Sequence, residues 1–237
     1  MSAYNPWPIG QLREEWQRPE LLWAKNHGLY KADARELVAL FESTIASYCG
    51  STYAVAVDCC SHGIFLALKY LCKINPELQS MPQSIPSQTY ASVPMQMIHA
   101  GWIPKFNPTP WSGVYQIGNT GIFDSAGRFT QNMYVETKGI QILSFQIKKI
   151  LPIGRGGMIL TDDFEAYSWF LKARHDGRDL SSPYDSPDHI GEIGWHFYMT
   201  PEDAARGLKI FSDLPAENAD CMNYTMYPDL QQWKIWQ

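Results

Sequence analysis

The stretch that most constrains this chain runs from Ile140 to Asp162. An apolar run, Ile140 to Phe145, leads into Gln146-Ile147-Lys148-Lys149; after Ile150-Leu151-Pro152-Ile153 comes Gly154-Arg155-Gly156-Gly157, and a second apolar run, Met158-Ile159-Leu160, follows. Two apolar runs of strand length around a glycine-rich segment predict strand, turn, strand. Three glycines in four residues supply the positive φ angles that such a turn uses. The lysines admit two readings. Either they are solvated turn residues, or one is a partly desolvated amine that loses its proton and attacks carbonyls. The local sequence leaves both open.

The chain has 237 residues, 45% of them hydrophobic, which is enough for one large domain with a buried core. Its 19 basic and 24 acidic residues give a formal charge of -5 with no basic stripe, so a phosphate-tracking nucleic-acid binder is not expected. Five cysteines, Cys49, Cys59, Cys60, Cys72 and Cys221, form no zinc or redox spacing, and a reduced, cytoplasmic setting is expected. The opening residues show no signal-peptide pattern. No apolar run approaches the roughly 20 residues of a membrane span.

Residues 1–32, with three prolines and three tryptophans, read as an irregular N-terminal arm. From Asp33, apolar residues at helical spacing (Leu37, Val38, Phe41, Ile45) predict a helix, with Asp33 and Glu36 as a capping box and Gly50 as the stop. Tyr53 to Val57 reads as a strand that feeds a helix through Asp58-Cys59-Cys60-Ser61, where free amides are able to hold a phosphate and Ser61 is a candidate cap. Ile85 to Tyr90 ends another strand, and Gly121-Ile122-Phe123-Asp124 ends a strand in a carboxylate, where α/β sheets gather ligands. Each of these features also has a plain structural reading: a cap, a core aromatic, a turn. Residues 177–193 read as a loop, Thr200-Pro201 opens a last helix to about Phe211, and residues 212–237 show no period. The alternation predicts a three-layer α/β/α domain with a mainly parallel mixed sheet.

Five stretches together resemble the DegT/DnrJ/EryC1/StrS family of pyridoxal phosphate-dependent sugar aminotransferases. They are Ala54 to Ser61, Ile85 to Tyr90 with Ala100-Gly101, Asp124-Ser125-Ala126, Ser144 to Gly157, and Gly194 to Thr200 with Ala204-Ala205. The resemblance implies the large domain of a fold type I enzyme over residues 33–211, with 212–237 as a short tail in place of the family's small domain. It implies Lys149, five residues after Ser144, as the Schiff-base lysine and as the group that moves the proton. It also implies Asp124 at the pyridine nitrogen, Tyr90 stacked on the ring, and Ser144, Cys60 and Ser61 at the phosphate. His196 stands where the family's asparagine reaches the neighbouring subunit, so a homodimer with shared sites is expected. The implied partners are an amino acid donor and a keto-sugar acceptor, nucleotide-linked. A non-catalytic or regulatory homologue and a different acceptor are the alternatives. Several positions depart from the family: Cys60 for Gly, Gly127 for Gln or His, His196 and Tyr198 for Asn and Arg, and Arg155 where Glu is common.

Overall fold

In the central strands, alternate side chains enter two separate cores, and that alternation sets the layers. A computed structural model of the chain describes residues 14–31 and 33–236. Its elements, in order, are α1 (Pro19–Asn26), α2 (Glu36–Cys49), β1 (Tyr53–Val57), α3 (Cys60–Ile74), α4 (Pro76–Gln79), β2 (Gln83–Pro86) and α5 (Ser92–His99). Then come β3 (Pro104–Asn107), β4 (Tyr115–Ile117), β5 (Ile122–Asp124), β6 (Ile140–Ser144), β7 (Gly157–Thr161), α6 (Phe164–Ala173) and α7 (Pro201–Phe211). On β1, Ala54 and Ala56 join one core and Val55 and Val57 the other; Leu143 and Met158 face the first, Ile142 and Ile159 the second. Helices α1, α2 and α7 cover the first face, and α3, α5 and α6 the second. Val55, Val57, Ile142 and Ile159 are fully buried, each contributing about 1.5–3 kcal/mol.

The fold is α/β with a mixed sheet and helices on both sides. Its five-stranded sheet has the order β1-β7-β6-β5-β4, and a separate pair joins β2 to β3. Among the named strands, parallel pairing is less extensive than the sequence suggested, joining only β5 with β6 and β2 with β3. The reason is the connections. The lysine segment returns β6 onto β7 with no crossover helix, and a tight turn with Gly118 and Gly121 at positive φ folds β4 onto β5, so both pairs are antiparallel. The strand, turn, strand reading of 140–162 is what the chain forms.

Local signals account for the helix ends. Gly50 closes α2 in the left-handed conformation, Asp163 caps α6 through the amides of Glu165 and Ala166, and Thr200 caps α7 through that of Asp203. Residues 1–13 and 32 of the expected arm lie outside the described residues. The remainder is not irregular: α1 starts with Pro19 and buries Leu21 and Ala24 beside α7. No described helix is long and apolar enough to cross a membrane.

Candidate active site

The carboxyl ends of β5 and β6, the start of α3 and the lysine turn meet around one cavity of about 510 Å³. Cys60, Ser61, Tyr90, Asp124, Ser144 and Lys149 all line it. Six of the seven residues singled out in the sequence are therefore brought together. His196 is not. It stands in a separate cavity of about 430 Å³, 64% exposed, with Nδ1 2.9 Å from Asp176 Oδ2.

Both lysines line this cavity, Lys149 half-buried and Lys148 exposed. Lys149 N–H donates to Gln146 O at 2.9 Å, closing the turn that carries both lysines. Two-point pairing of Phe145 with the glycine segment holds the turn, with Phe145 N–H donating to Gly156 O (3.0 Å) and Gly154 N–H to Phe145 O (3.1 Å).

Asp124 is 5% exposed, at the last position of β5. Its Oδ1 accepts from Ala126 N–H (3.0 Å) and its Oδ2 from the Tyr115 hydroxyl (2.8 Å), which is also paired with Thr89 Oγ1 at 2.6 Å. Burial raises the carboxyl above its ordinary range, while those two donors and the Lys149 charge pull it back without cancelling the rise. Tyr115 is itself pushed well up, by burial and then by the Asp124 charge, and so stays a donor. Tyr115 and Thr89 are parts of the site that sequence reasoning missed. Tyr115 sits on a strand of three residues, too short to show a period.

At the start of α3 the expected serine cap is not made. Cys59 holds the N-cap position without a side-chain bond, and Ser61, already inside the helix, pairs its hydroxyl with Ser92 Oγ at 2.7 Å. Burial pushes the Cys60 thiol well up, leaving a neutral sulfur beside the helix amides. Those first amides have no acceptor within the helix, and the helix dipole favours an anion there. Ser144 ends β6 on the other side of the opening. The cavity thus offers an amine, a buried carboxylate, and hydroxyls beside a helix N-terminus. That donor set fits an aromatic aldehyde carrying a basic ring nitrogen and a phosphate.

The tail expected to lack pattern returns to this cavity, where Met222, Met226 and Tyr227 form part of its lining. It also explains Gly127, since a Cβ there would lie 3.1 Å from the Cβ and the carbonyl oxygen of Met222.

Residues 13–107 match the sequence profile of the DegT/DnrJ/EryC1/StrS aminotransferase family. No curated protein matches the chain. Among solved structures, AtS13 from Actinomadura melliaura is similar at a TM-score of 0.60 and 18% identity, covering 74% of this chain and 59% of its own. Helicobacter pylori PseC, an aminotransferase of pseudoaminic acid biosynthesis, gives 0.60 and 13%, covering 82% and 62%. The E. coli GDP-4-keto-6-deoxy-D-mannose-3-dehydratase with bound hydrated PLP gives 0.63 and 16%, covering 86% and 67%. The chain thus spans about three fifths of the length of such structures. At these identities the likeness is one of fold. Residues 13–107 thus resemble the DegT/DnrJ/EryC1/StrS aminotransferase family in sequence, and the chain shares the fold of these solved structures.

Proposed function

We propose that this chain binds pyridoxal 5'-phosphate at Lys149 and is an aminotransferase-like protein, moving an amino group from an amino acid to a keto sugar, nucleotide-linked. The carrying observation is the facing pair inside one cavity: a half-buried Lys149 amine and a buried, doubly hydrogen-bonded Asp124. When bound, the cofactor supplies an electron sink for the carbon that bears the amino group. The chain's residues supply the rest. Lys149 Nζ holds the aldehyde carbon and, when released, moves the proton at the reacting carbon. Asp124 holds a proton on the ring nitrogen, with Tyr115 and Ala126 keeping its oxygens aimed. Cys60, Ser61 and Ser144 take the phosphate at the start of α3, and Tyr90, 62% exposed at the mouth, lies against the ring. His196, outside this cavity, is assigned to the neighbouring subunit's phosphate in a homodimer; it is the one residue whose role needs a second copy. A cytoplasmic setting goes with this reading.

The test is borohydride reduction of the protein incubated with pyridoxal phosphate, followed by mass spectrometry. Expected is one phosphopyridoxyl label on Lys149 and none in Lys149→Ala. A label on Lys148, or no label, overturns the assignment. Conversion of the bound cofactor to its amine form by glutamate separates an aminotransferase from a non-catalytic binder, whose spectrum stays unchanged with every amino donor.

A further inference from the structure

Residues 218–230 form no long helix or strand, yet they are tied down along their length. Asn218 N–H donates to Thr130 Oγ1 at 3.1 Å. Arg128 grips the Asp220 carboxylate at two points, Nε to Oδ1 at 2.8 Å and Nη2 to Oδ2 at 2.9 Å, and Ser112 adds a hydroxyl at 3.1 Å. Backbone bonds continue from there: Cys221 N–H to Gly127 O (2.9 Å), Gly113 N–H to Met222 O (2.8 Å), Tyr224 N–H to Trp111 O (3.1 Å) and Leu230 N–H to Ser87 O (2.9 Å). Gln88 donates its side-chain amide to Tyr227 O at 3.1 Å, and Leu230 is 1% exposed. Two glycines make the room. A Cβ on Gly127 would press on Met222, and one on Gly113 would fall within the Asp220 carboxyl group.

What this anchoring delivers is a cover over the lysine. Met222 Sδ lies 2.9 Å from Lys149 Nζ and 2.9 Å from the Tyr227 hydroxyl, so two donors converge on one sulfur. The Tyr227 ring is 5.7 Å from that of Trp111 and 6.5 Å from that of Tyr90, continuing the wall towards the mouth. Its hydroxyl is pushed up to about 12, by burial first and then by the Asp124 charge, so it faces the cavity's interior as a neutral donor.

We infer that residues 220–230 are a built-in wall of the Lys149 cavity, in which Met222 and Tyr227 are positioning residues that hold the lysine amine in place and screen it from water. The inference rests on Lys149 being the reactive amine proposed above. It puts control of that amine in a segment about 70 residues downstream of the turn that carries it.

Reductive methylation of the cofactor-free full-length chain, read lysine by lysine by mass spectrometry, tests this without any activity measurement. Lys148, which lines the same cavity but is exposed, is the internal standard. Lys149 is expected to react at least about tenfold more slowly than Lys148 in the unaltered chain, the protection a covered amine gains when local opening must precede reaction. The ratio should move towards one in the Met222→Ala/Tyr227→Ala double variant. Met222→Leu, which keeps the volume, should restore most of the protection when combined with native Tyr227. Circular dichroism and the urea midpoint establish that each variant is folded. Equal rates at the two lysines in the unaltered chain overturn the wall, as does an unchanged ratio in the folded double variant. If the contrast is present but no pyridoxal phosphate binds, the functional reading fails and the wall stands. If borohydride labels Lys149 but methylation shows no contrast, the wall alone fails.

Discussion

Tyr115→Phe isolates the hydroxyl that holds Asp124, because the ring keeps its packing against Trp111 (centroids 5.0 Å apart) and only the oxygen goes. Two consequences differ in their pH dependence. The buried Asp124 carboxylate loses a 2.8 Å donor, and a hydrogen bond to a charged group is worth about 1.5–3 kcal/mol. The Thr89 hydroxyl, 2% exposed, loses its 2.6 Å partner at about 0.5–1.5 kcal/mol whatever the pH. Asp124 already has a folded pKa above its unfolded value of about 3.9, so ionising it in the fold costs stability as pH rises through the folded value. Removing Tyr115 takes away one of the influences that lower that pKa, so it climbs further. The variant should therefore be destabilised most towards alkaline pH, where the carboxyl is charged in the fold, by about 2–4.5 kcal/mol. Towards acid pH, as the carboxyl becomes protonated in the fold, the loss should shrink to the Thr89 part of about 0.5–1.5 kcal/mol. Urea unfolding of the cofactor-free protein at a series of pH values, followed by tryptophan fluorescence, measures it. A loss that does not change with pH, or one below about 0.5 kcal/mol at neutral pH, would refute the account of Asp124 as a charge held by Tyr115.

Gly157→Ala places a Cβ 2.6 Å from Cys60 N and 2.7 Å from Cys59 C, so β7 and the start of α3 must separate; a loss of about 1–3 kcal/mol in urea unfolding is expected, together with weaker phosphate-ester binding by calorimetry. Glu42 and Arg174 form a buried ion pair; Ala56 N–H donates to Glu42 Oε1 at 2.7 Å and Arg174 Nη1 to Ala56 O at 2.6 Å. Arg174→Met alone should cost about 3–5 kcal/mol by stranding the carboxylate, and adding Glu42→Gln should recover part of it in a double-mutant cycle. His62, stacked on Phe197, has its charge opposed by burial, but its hydrogen bonds to Asp58 and the Cys59 sulfur outweigh that and raise it to about 9. Its contribution is thus complete below about pH 6.5 and lost as pH rises through about 9; His62→Gln should flatten that alkaline slope in thermal melts.

The legible parts of this molecule are those that local chemistry determines. The turn between β6 and β7, the strand end at Asp124 and the cap at Thr200 follow from apolar runs, glycines and short polar side chains acting on their own neighbours. Three things were not legible. The pairing directions depend on which strands become neighbours, which no window of sequence contains. Tyr115 acquires its role only because Thr89 and Asp124, 26 and nine residues away, end beside it. Residues 212–236 carry methionines and aromatics without a period because they make irregular contacts, and their partners (Ser87, Gln88, Trp111, Gly113, Gly127) come from distant loops. The one hint was Gly127, where a missing side chain turned out to be space for Met222.

How the site stays assembled follows from the register of the strands and from two glycines. Asp124 sits opposite Ile142 on β6, and Ser144 opposite Gly157 on β7, which in turn lies opposite Val57 on β1. Ser144 therefore shares the face of Ile142, the face that α3 covers. A one-residue slip of β6 would send both to the other core, exchanging Ile142 for Leu143 and turning Ser144 away from the cavity. Burial of Ile142 and Ile159 thus fixes the site as well as the fold. Helix α3 must then come close enough for Cys60 and Ser61 to face Ser144. Gly63 permits it, since a Cβ there would lie 2.7 Å from the Ile142 Cγ2 methyl, and Gly157 permits the same approach one turn earlier at Cys60. A methyl at either glycine would lever the helix start off the strand ends. The same contact surface that stabilises the sheet therefore sets the distance across which a phosphate would have to be held.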